Sequence, residues 1–155
     1  DELVTATTDG SGGIWAAGYT KGTLAGQVSM GGQDCMLLRF AADGSRTVNR
    51  QIGTAYLDSI QSLAWISGKL YSVGSTRGAF SGQDARGSFD YFVGRHGTDG
   101  SLAWVSQAGT DQADNAAAIT GRDNLLYVGA TTFGVFDGLL PLGDSDGYIQ
   151  ALRTY

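Results

Sequence analysis

The sequence repeats itself with a period of 56 residues, and this repeat constrains the fold more than any other feature. Residues of one type recur at this interval in all three copies: Thr20, Thr76 and Thr132; Gly22, Gly78 and Gly134; Gly26, Gly82 and Gly138; Gly31, Gly87 and Gly143; Asp34, Asp90 and Asp146. So many matches at one period, without a gap, indicate copies of a single structural unit. The copies are 1–56, 57–112 and 113–155, of which the third is the shortest.

The second copy shows what each unit folds into. Apolar runs bounded by turn residues predict strands at 59–67, 70–76, 90–96 and 101–108. Asp99-Gly100 predicts a tight hairpin turn, because glycine tolerates a positive φ. No segment keeps helical spacing over about ten residues. We therefore expect an all-β protein of three four-stranded antiparallel repeats, the last of which lacks its final strand.

The composition excludes several classes of protein. Glycine accounts for 25 of 155 residues, but proline and cysteine occur once each, which excludes a collagen and a disulfide scaffold. The formal net charge is −5 and the 10 basic residues are scattered singly, so we expect no nucleic-acid partner. No apolar run reaches the roughly 18 residues of a membrane-spanning helix, so we expect no membrane span.

Four short motifs of the second copy resemble a known repeat family. They are Leu70-Tyr71-Ser72-Val73-Gly74-Ser75-Thr76, Asp90-Tyr91-Phe92-Val93, Asp99-Gly100-Ser101-Leu102-Ala103-Trp104 and Gln107-Ala108-Gly109-Thr110. This order of an aromatic strand, an Asp-aromatic-Val strand and an Asp-Gly turn before tryptophan resembles the SBBP β-propeller repeats, over nearly the whole chain. The third copy departs from the pattern at Ala130, where the other two have glycine. The resemblance implies that each copy is a propeller blade and that the protein is extracellular or on the cell surface.

Three blades, one of them incomplete, are fewer than the roughly four to eight that close a propeller. Open strand edges invite pairing with another chain. We therefore expect either a fragment of a larger propeller, completed by another chain or by a missing remainder, or a homo-oligomer in which several chains form one ring. The alternative fold is a β-trefoil, in which three four-stranded units close as one monomer.

Candidate binding residues lie in the long loops that the meander places on one side of the blades. We predict ligand-binding roles for Asp58, Phe80, Asp84, Asp114, Phe136 and Asp137. For the acids, a solvated polar rim is the interpretation we favour over recruitment of a cation or a basic partner. The two phenylalanines are either exposed anchors or apolar plugs that hold their loops down.

The three repeated aspartates, Asp34, Asp90 and Asp146, permit two interpretations. As metal ligands they would bind a hard cation such as calcium, because calcium takes oxygen donors. As structural caps they would accept hydrogen bonds from loop amides at the start of a strand. We favour the caps, because a calcium loop shows several acids at close spacing, and we therefore expect no cofactor unless calcium binds here.

The function that these observations favour is a non-catalytic binding or scaffold module, whose loops contact a protein or a glycan. The alternative is a propeller-type polysaccharide hydrolase or lyase that uses loop carboxylates. Nucleophilic catalysis has little support, because His96 is the single histidine and Cys35 lies in an apolar run. We leave enzymatic activity open and favour its absence.

Overall fold

The computed structural model describes residues 1–136 and 138–154, and these residues form strands, turns and loops without a helix. Eleven strands in this part of the chain form three separate antiparallel sheets, which we call blades 1, 2 and 3. The described residues accordingly contain no helix that could cross a membrane.

Each blade is a simple meander within one repeat. Blade 1 consists of β1 Glu2–Thr8, β2 Ile14–Thr20, β3 Asp34–Phe40 and β4 Arg46–Ile52. Blade 2 consists of β5 Asp58–Ile66, β6 Lys69–Thr76, β7 Asp90–His96 and β8 Leu102–Ala108. Blade 3 consists of β9 Asp114–Arg122, β10 Leu125–Thr132 and β11 Asp146–Arg153. The predicted strands agree with the observed ones to within one residue, and the incomplete third sheet is confirmed.

The blades stack face to face around their first strands. β5 contacts β1, β2 and β3 of blade 1, and β9 contacts β5, β6 and β7 of blade 2. The first strand of each blade is therefore the innermost, and the three blades form an open arc. No strand is shared between sheets, as it would be if three units closed one trefoil barrel. The propeller-blade prediction is confirmed and the trefoil alternative is wrong.

Apolar side chains fill the two seams between the blades. At the first seam blade 1 contributes Trp15, Ala17, Cys35 and Leu37, and blade 2 contributes Ile60, Leu63, Leu70, Phe80 and Phe92. At the second seam blade 2 contributes Ile66, Tyr71, Val73, Tyr91 and Val93, and blade 3 contributes Ala116, Ile119, Leu126, Val128 and Ala130. We call the side of a blade that looks toward the next repeat its far face and the opposite side its near face. At the first seam the far face of blade 1 packs on the near face of blade 2, and at the second seam the far face of blade 2 packs on the near face of blade 3.

A β-bulge interrupts the pairing of the first two strands in every blade. In blade 2 the register skips one residue between Ile60 and Ser62. The bulge brings the Ser59 carbonyl so close to Gly74 that any side chain there would overlap it. In blade 3 the same position is Ala130, so this strand pair accommodates a methyl group that blade 2 does not.

Candidate functional site

The long connections all open at one end of the blades, which we call the loop side. They are the β2–β3, β6–β7 and β10–β11 loops and the connections from one blade to the next at 53–57 and 109–113. The two kinds of connection are hydrogen-bonded to each other: Asp58 N–H donates to the Gln33 carbonyl and Asp114 N–H to the Phe89 carbonyl. The loop side is therefore a framework that ties each loop to the start of the next blade.

The repeated aspartates cap the loops from below. Asp34 is fully buried, and its Oδ2 accepts hydrogen bonds from Met30 N–H at 2.9 Å and Ser29 Oγ at 3.1 Å. Asp90 accepts from Arg86 N–H at 2.7 Å, and Asp146 accepts from the backbone N–H four residues before it at 3.1 Å. These are the hydrogen bonds that the capping interpretation predicts.

A glutamine on the fourth strand fastens the same loop. In blade 2, Gln107 Nε2 donates to Asp90 Oδ2 at 2.7 Å and to the Gly78 carbonyl at 2.8 Å, while its Oε1 accepts from Phe80 N–H at 3.1 Å. Its backbone N–H donates to Gln83 Oε1 at 2.9 Å. Gln51 makes the equivalent set of contacts in blade 1. The sequence shows this glutamine as a repeat match, but only the structure reveals what it holds.

Asp58 and Asp114 lie beneath the loop side and not on its rim. Both are buried at the start of their strands. Asp58 Oδ2 accepts from Thr54 N–H at 2.6 Å and from Thr54 Oγ at 3.0 Å, and Asp114 makes the same contacts with Thr110. These carboxylates therefore join one blade to the next, in place of the solvated rim that we expected. Their predicted role in ligand binding stays a prediction that this burial does not favour.

Two carboxylates meet at the first seam around Gly53. A side chain on Gly53 would touch both Asp34 Oδ1 and Asp58 Oδ2, so the oxygens of two blades converge there, and the arrangement recurs at Gly109. Asp34 Oδ1 has no hydrogen-bond partner among the described residues. Burial raises the pKa of Asp58, with a smaller contribution from the charge of Asp34.

Metal binding at these acids requires more ligands than the structure brings together. The described residues contain no cluster of three or more His, Cys, Asp or Glu side chains arranged to hold a metal ion. Calcium takes six to eight oxygen ligands, from carboxylates, carbonyls and water. Among the described residues Asp34 lies near Asp58 and Asp90 near Asp114, and calcium binding by Asp34, Asp90 and Asp146 stays a prediction.

Phe80 and Phe136 point into the seams. Phe80 is buried and packs edge-on against Phe92 with ring centroids 5.0 Å apart. Phe136 packs on the core of the second seam and lies edge-on to Tyr148, also at 5.0 Å. Both rings thus hold their loops down, as the plug interpretation predicts. Asp84 is exposed in the β6–β7 loop, and Asp137 lies outside the described residues.

An open groove of about 1040 Å³ lies on the loop side of the second seam. Its walls include Arg86 and Asp111, one cationic and one anionic, and the exposed side chains of Phe133 and Val135. Charged groups beside apolar surface suit an extended ligand that offers both kinds of contact. The sequence pattern did not reveal this groove, because its walls come from three separate connections.

The β10–β11 loop carries the largest exposed apolar surface of the loop side. Five of its side chains, which we call the apolar loop, are more than half exposed: Phe133, Val135, Leu139, Leu140 and Leu142. The equivalent positions of the β6–β7 loop are Arg77, Ala79, Gln83, Asp84 and Arg86. Leu140 and Leu142 are the most exposed of the five, at 87% and 91%.

The structure brings together one pair that resembles a nucleophile and its base. Ser72 Oγ lies 2.8 Å from His96 Nε2, and His96 Nδ1 lies 3.4 Å from the Gly100 carbonyl. A carbonyl only accepts, so Nδ1 carries the proton and Nε2 accepts from the serine hydroxyl. Both side chains are buried, and burial lowers the pKa of His96 to about 4. Ser72 is 0% exposed and His96 7% exposed, so the hydroxyl and the imidazole are both shielded from solvent.

Cys35, which lies in an apolar run of the sequence, is buried in the first seam. Burial raises the pKa of its thiol well above the ordinary value, and the charges of Asp58 and Asp34 add to this effect. A thiol held protonated and away from solvent is a packing group.

No model of a known protein family matches the chain, and no curated protein sequence matches it. The resemblance to SBBP repeats therefore stays a prediction from the residues.

Proposed function

We propose that this chain is a non-catalytic β-propeller scaffold, which closes by packing its open blade faces on further blades of the same kind and presents its loop side to a partner. One observation carries the proposal. Positions that are buried at both seams recur, exposed and still apolar, on the outermost faces of the arc.

The far face of blade 3 repeats the chemistry of the buried far faces. Ile149 is 77% exposed, whereas its equivalents Leu37 and Val93 are 0% and 1% exposed. Tyr127 is 42% exposed, whereas its equivalent Tyr71 is 2% exposed. Burying a side chain such as that of isoleucine contributes about 1.5–3 kcal/mol. This face is therefore the surface on which a fourth blade would pack.

The near face of blade 1 is the matching surface. Leu3 and Ile14 are 51% and 46% exposed. The residues in the same places of blade 2, Ile60 opposite its bulge glycine and Leu70 at the start of its second strand, are each 1% exposed. A far face of one copy and a near face of another are the two halves of the seams already present. Such a head-to-tail contact forms a ring when the rotation between copies closes.

The loop side supports a protein partner better than a glycan. The apolar loop presents five exposed aliphatic or aromatic side chains in one segment, next to the groove with Arg86 and Asp111. Exposed apolar surface rimmed by polar groups marks protein–protein contact sites. A secreted or cell-surface location, which the SBBP resemblance implies, would place this surface in reach of extracellular proteins.

The alternative of a polysaccharide hydrolase or lyase lacks a supporting observation. It requires two carboxylates that a sugar can reach, separated by roughly 5–9.5 Å. The repeated aspartates at the two seams are buried and hydrogen-bonded to loop amides.

The native mass of the protein tests the closure. We expect light scattering to show a complex of several chains, and the substitution Ile149→Asp to reduce it to one chain, because an aspartate cannot be buried unpaired in a seam. Val28→Asp is the matched control, since Val28 is 74% exposed but lies in the β2–β3 loop. A wild-type protein that stays a single chain, or equal masses for the two variants, would contradict the proposal.

A further inference from the structure

The fourth strand of blades 1 and 2 supplies more than backbone pairing. β4 lies along β3 and β8 along β7, each with its glutamine opposite the third residue of the partner strand. In blade 1 Gln51 is paired with Met36, and in blade 2 Gln107 is paired with Phe92. At this register the side chain of Gln107 bonds three groups of the loop, namely Phe80 N–H, the Gly78 carbonyl and Asp90.

Blade 3 presents the same three groups with no strand beside them in the described residues. The equivalents of Phe80 N–H, the Gly78 carbonyl and Asp90 are Phe136 N–H, the Gly134 carbonyl and Asp146. A cavity of about 200 Å³ lies at this place, and its walls include Gly134, Phe136, Asp146 and Tyr148.

We propose that the outer edge of β11 binds an antiparallel strand of the β8 type, whose glutamine lies opposite Tyr148 and enters this cavity. The occupant is a protein segment with the chemistry of β8: an extended apolar strand, then glutamine, and glycine two residues later. The proposal continues an interface that blades 1 and 2 already contain. It concerns a strand edge and does not depend on whether the blade faces associate.

The hydrogen-bonding groups of blade 3 favour glutamine over glutamate as the side chain that enters the cavity. The side chain must donate to the Gly134 carbonyl and to Asp146, and accept from Phe136 N–H. An amide does both, whereas a glutamate would place a second negative charge beside Asp146 and could donate to neither acceptor. The backbone groups at the edge of β11 can pair with any extended strand, and the cavity makes the site specific for a strand that carries glutamine at this position.

A synthetic peptide with the sequence of residues 101–110 tests the site. The ¹⁵N-labelled protein is titrated with the peptide, and saturable shifts are expected for the amides of Phe136 and of β11. Replacing the peptide's glutamine by glutamate (Q107E in the numbering of the chain) should weaken binding by at least about tenfold, because the glutamate forfeits two hydrogen bonds and meets Asp146.

Two controls separate this site from general strand addition. The peptide substitution S106E introduces the same charge on the opposite face of the strand, and it should bind within about threefold of the parent peptide. The protein variant Asp146→Asn removes the like charge and should restore part of the binding of the Q107E peptide. Absence of binding, equal weakening by both glutamates, or shifts at β4 or β8 in place of β11 would overturn the proposal.

Discussion

Blades 2 and 3 share one sequence pattern but have different environments. Val93 and Ile149 occupy the same position of the repeat, yet the first is 1% exposed and the second 77%. The difference comes from the neighbour: blade 3 covers the far face of blade 2, and no described residue covers the far face of blade 3. The apolar pattern thus identifies which face of a strand is suited to packing against another blade. Whether that face is buried depends on whether a neighbouring blade is present.

In the β6–β7 and β10–β11 loops the difference lies in the residues themselves. Their glycines and their capping aspartate match, but four of the five positions of the apolar loop are charged or polar in blade 2 and the fifth is Ala79. Gln83, whose side chain accepts from the backbone of β8, is replaced by Leu139. The repeat therefore preserves what holds a loop in place, and it varies what the loop presents to a partner.

The largest difference between the blades is expected at the repeated tyrosine. Tyr71→Ala should lower the free energy of unfolding by about 3–5 kcal/mol, because it leaves a cavity in the second seam. Tyr127→Ala, on the open face, should change it by no more than about 0.5 kcal/mol at dilutions where light scattering shows a single chain. Urea unfolding followed by tryptophan fluorescence measures both. Comparable losses would mean that the far face of blade 3 is covered.

The buried Ser72–His96 pair should give blade 2 a sensitivity to acid that blade 3 lacks. The pKa of His96 is lowered to about 4, so its stabilising contribution is present above the ordinary value of about 6.5 and is lost as the pH falls toward 4. The loss is on the order of 3 kcal/mol. The double variant Ser72→Val, His96→Leu copies the blade 3 residues Val128 and Leu152.

Stability measured between pH 7 and pH 4 compares this variant with the wild-type protein. The acid-induced decline should become smaller in the double variant, while carboxylates such as Asp58 affect both proteins alike and cancel. An unchanged difference between the two proteins over this range would show that His96 is not held neutral by burial.

A smaller effect is expected at the bulge glycine. Gly74→Ala should cost about 1–3 kcal/mol, because the added methyl group overlaps the Ser59 carbonyl. The reverse change in blade 3, Ala130→Gly, should cost only about 0.5–1 kcal/mol, since it loosens a strand without creating an overlap. Thermal unfolding of the two variants checks the order, and a larger loss for Ala130→Gly would contradict it.

The strands and their order could be predicted from the sequence because both depend on local signals. Alternating apolar residues and turns such as Asp99-Gly100 act over a few residues, and the 56-residue period multiplies each signal. The capping role of Asp34 and Asp90 was predictable for the same reason, since each bonds an amide four residues away.

The candidate site was predicted less well, because its parts are distant in sequence. Asp58 and Phe80 belong to loops by their position in the chain, and only packing against a neighbouring blade buries them. Ser72 and His96 are 24 residues apart, and their contact depends on the register of β6 and β7. The groove and the apolar loop become visible only when separate connections meet at one seam.

The sequence by itself determined the period, the strands of each meander, the turns between them and the face of each strand that is apolar, because these depend on neighbours within one repeat. The tertiary structure alone decided which apolar faces are covered, which acids are buried and where the last blade is left open. The physical reason is that burial depends on contacts between repeats, and equivalent residues of a repeated sequence have different neighbours at the middle and at the ends of the arc.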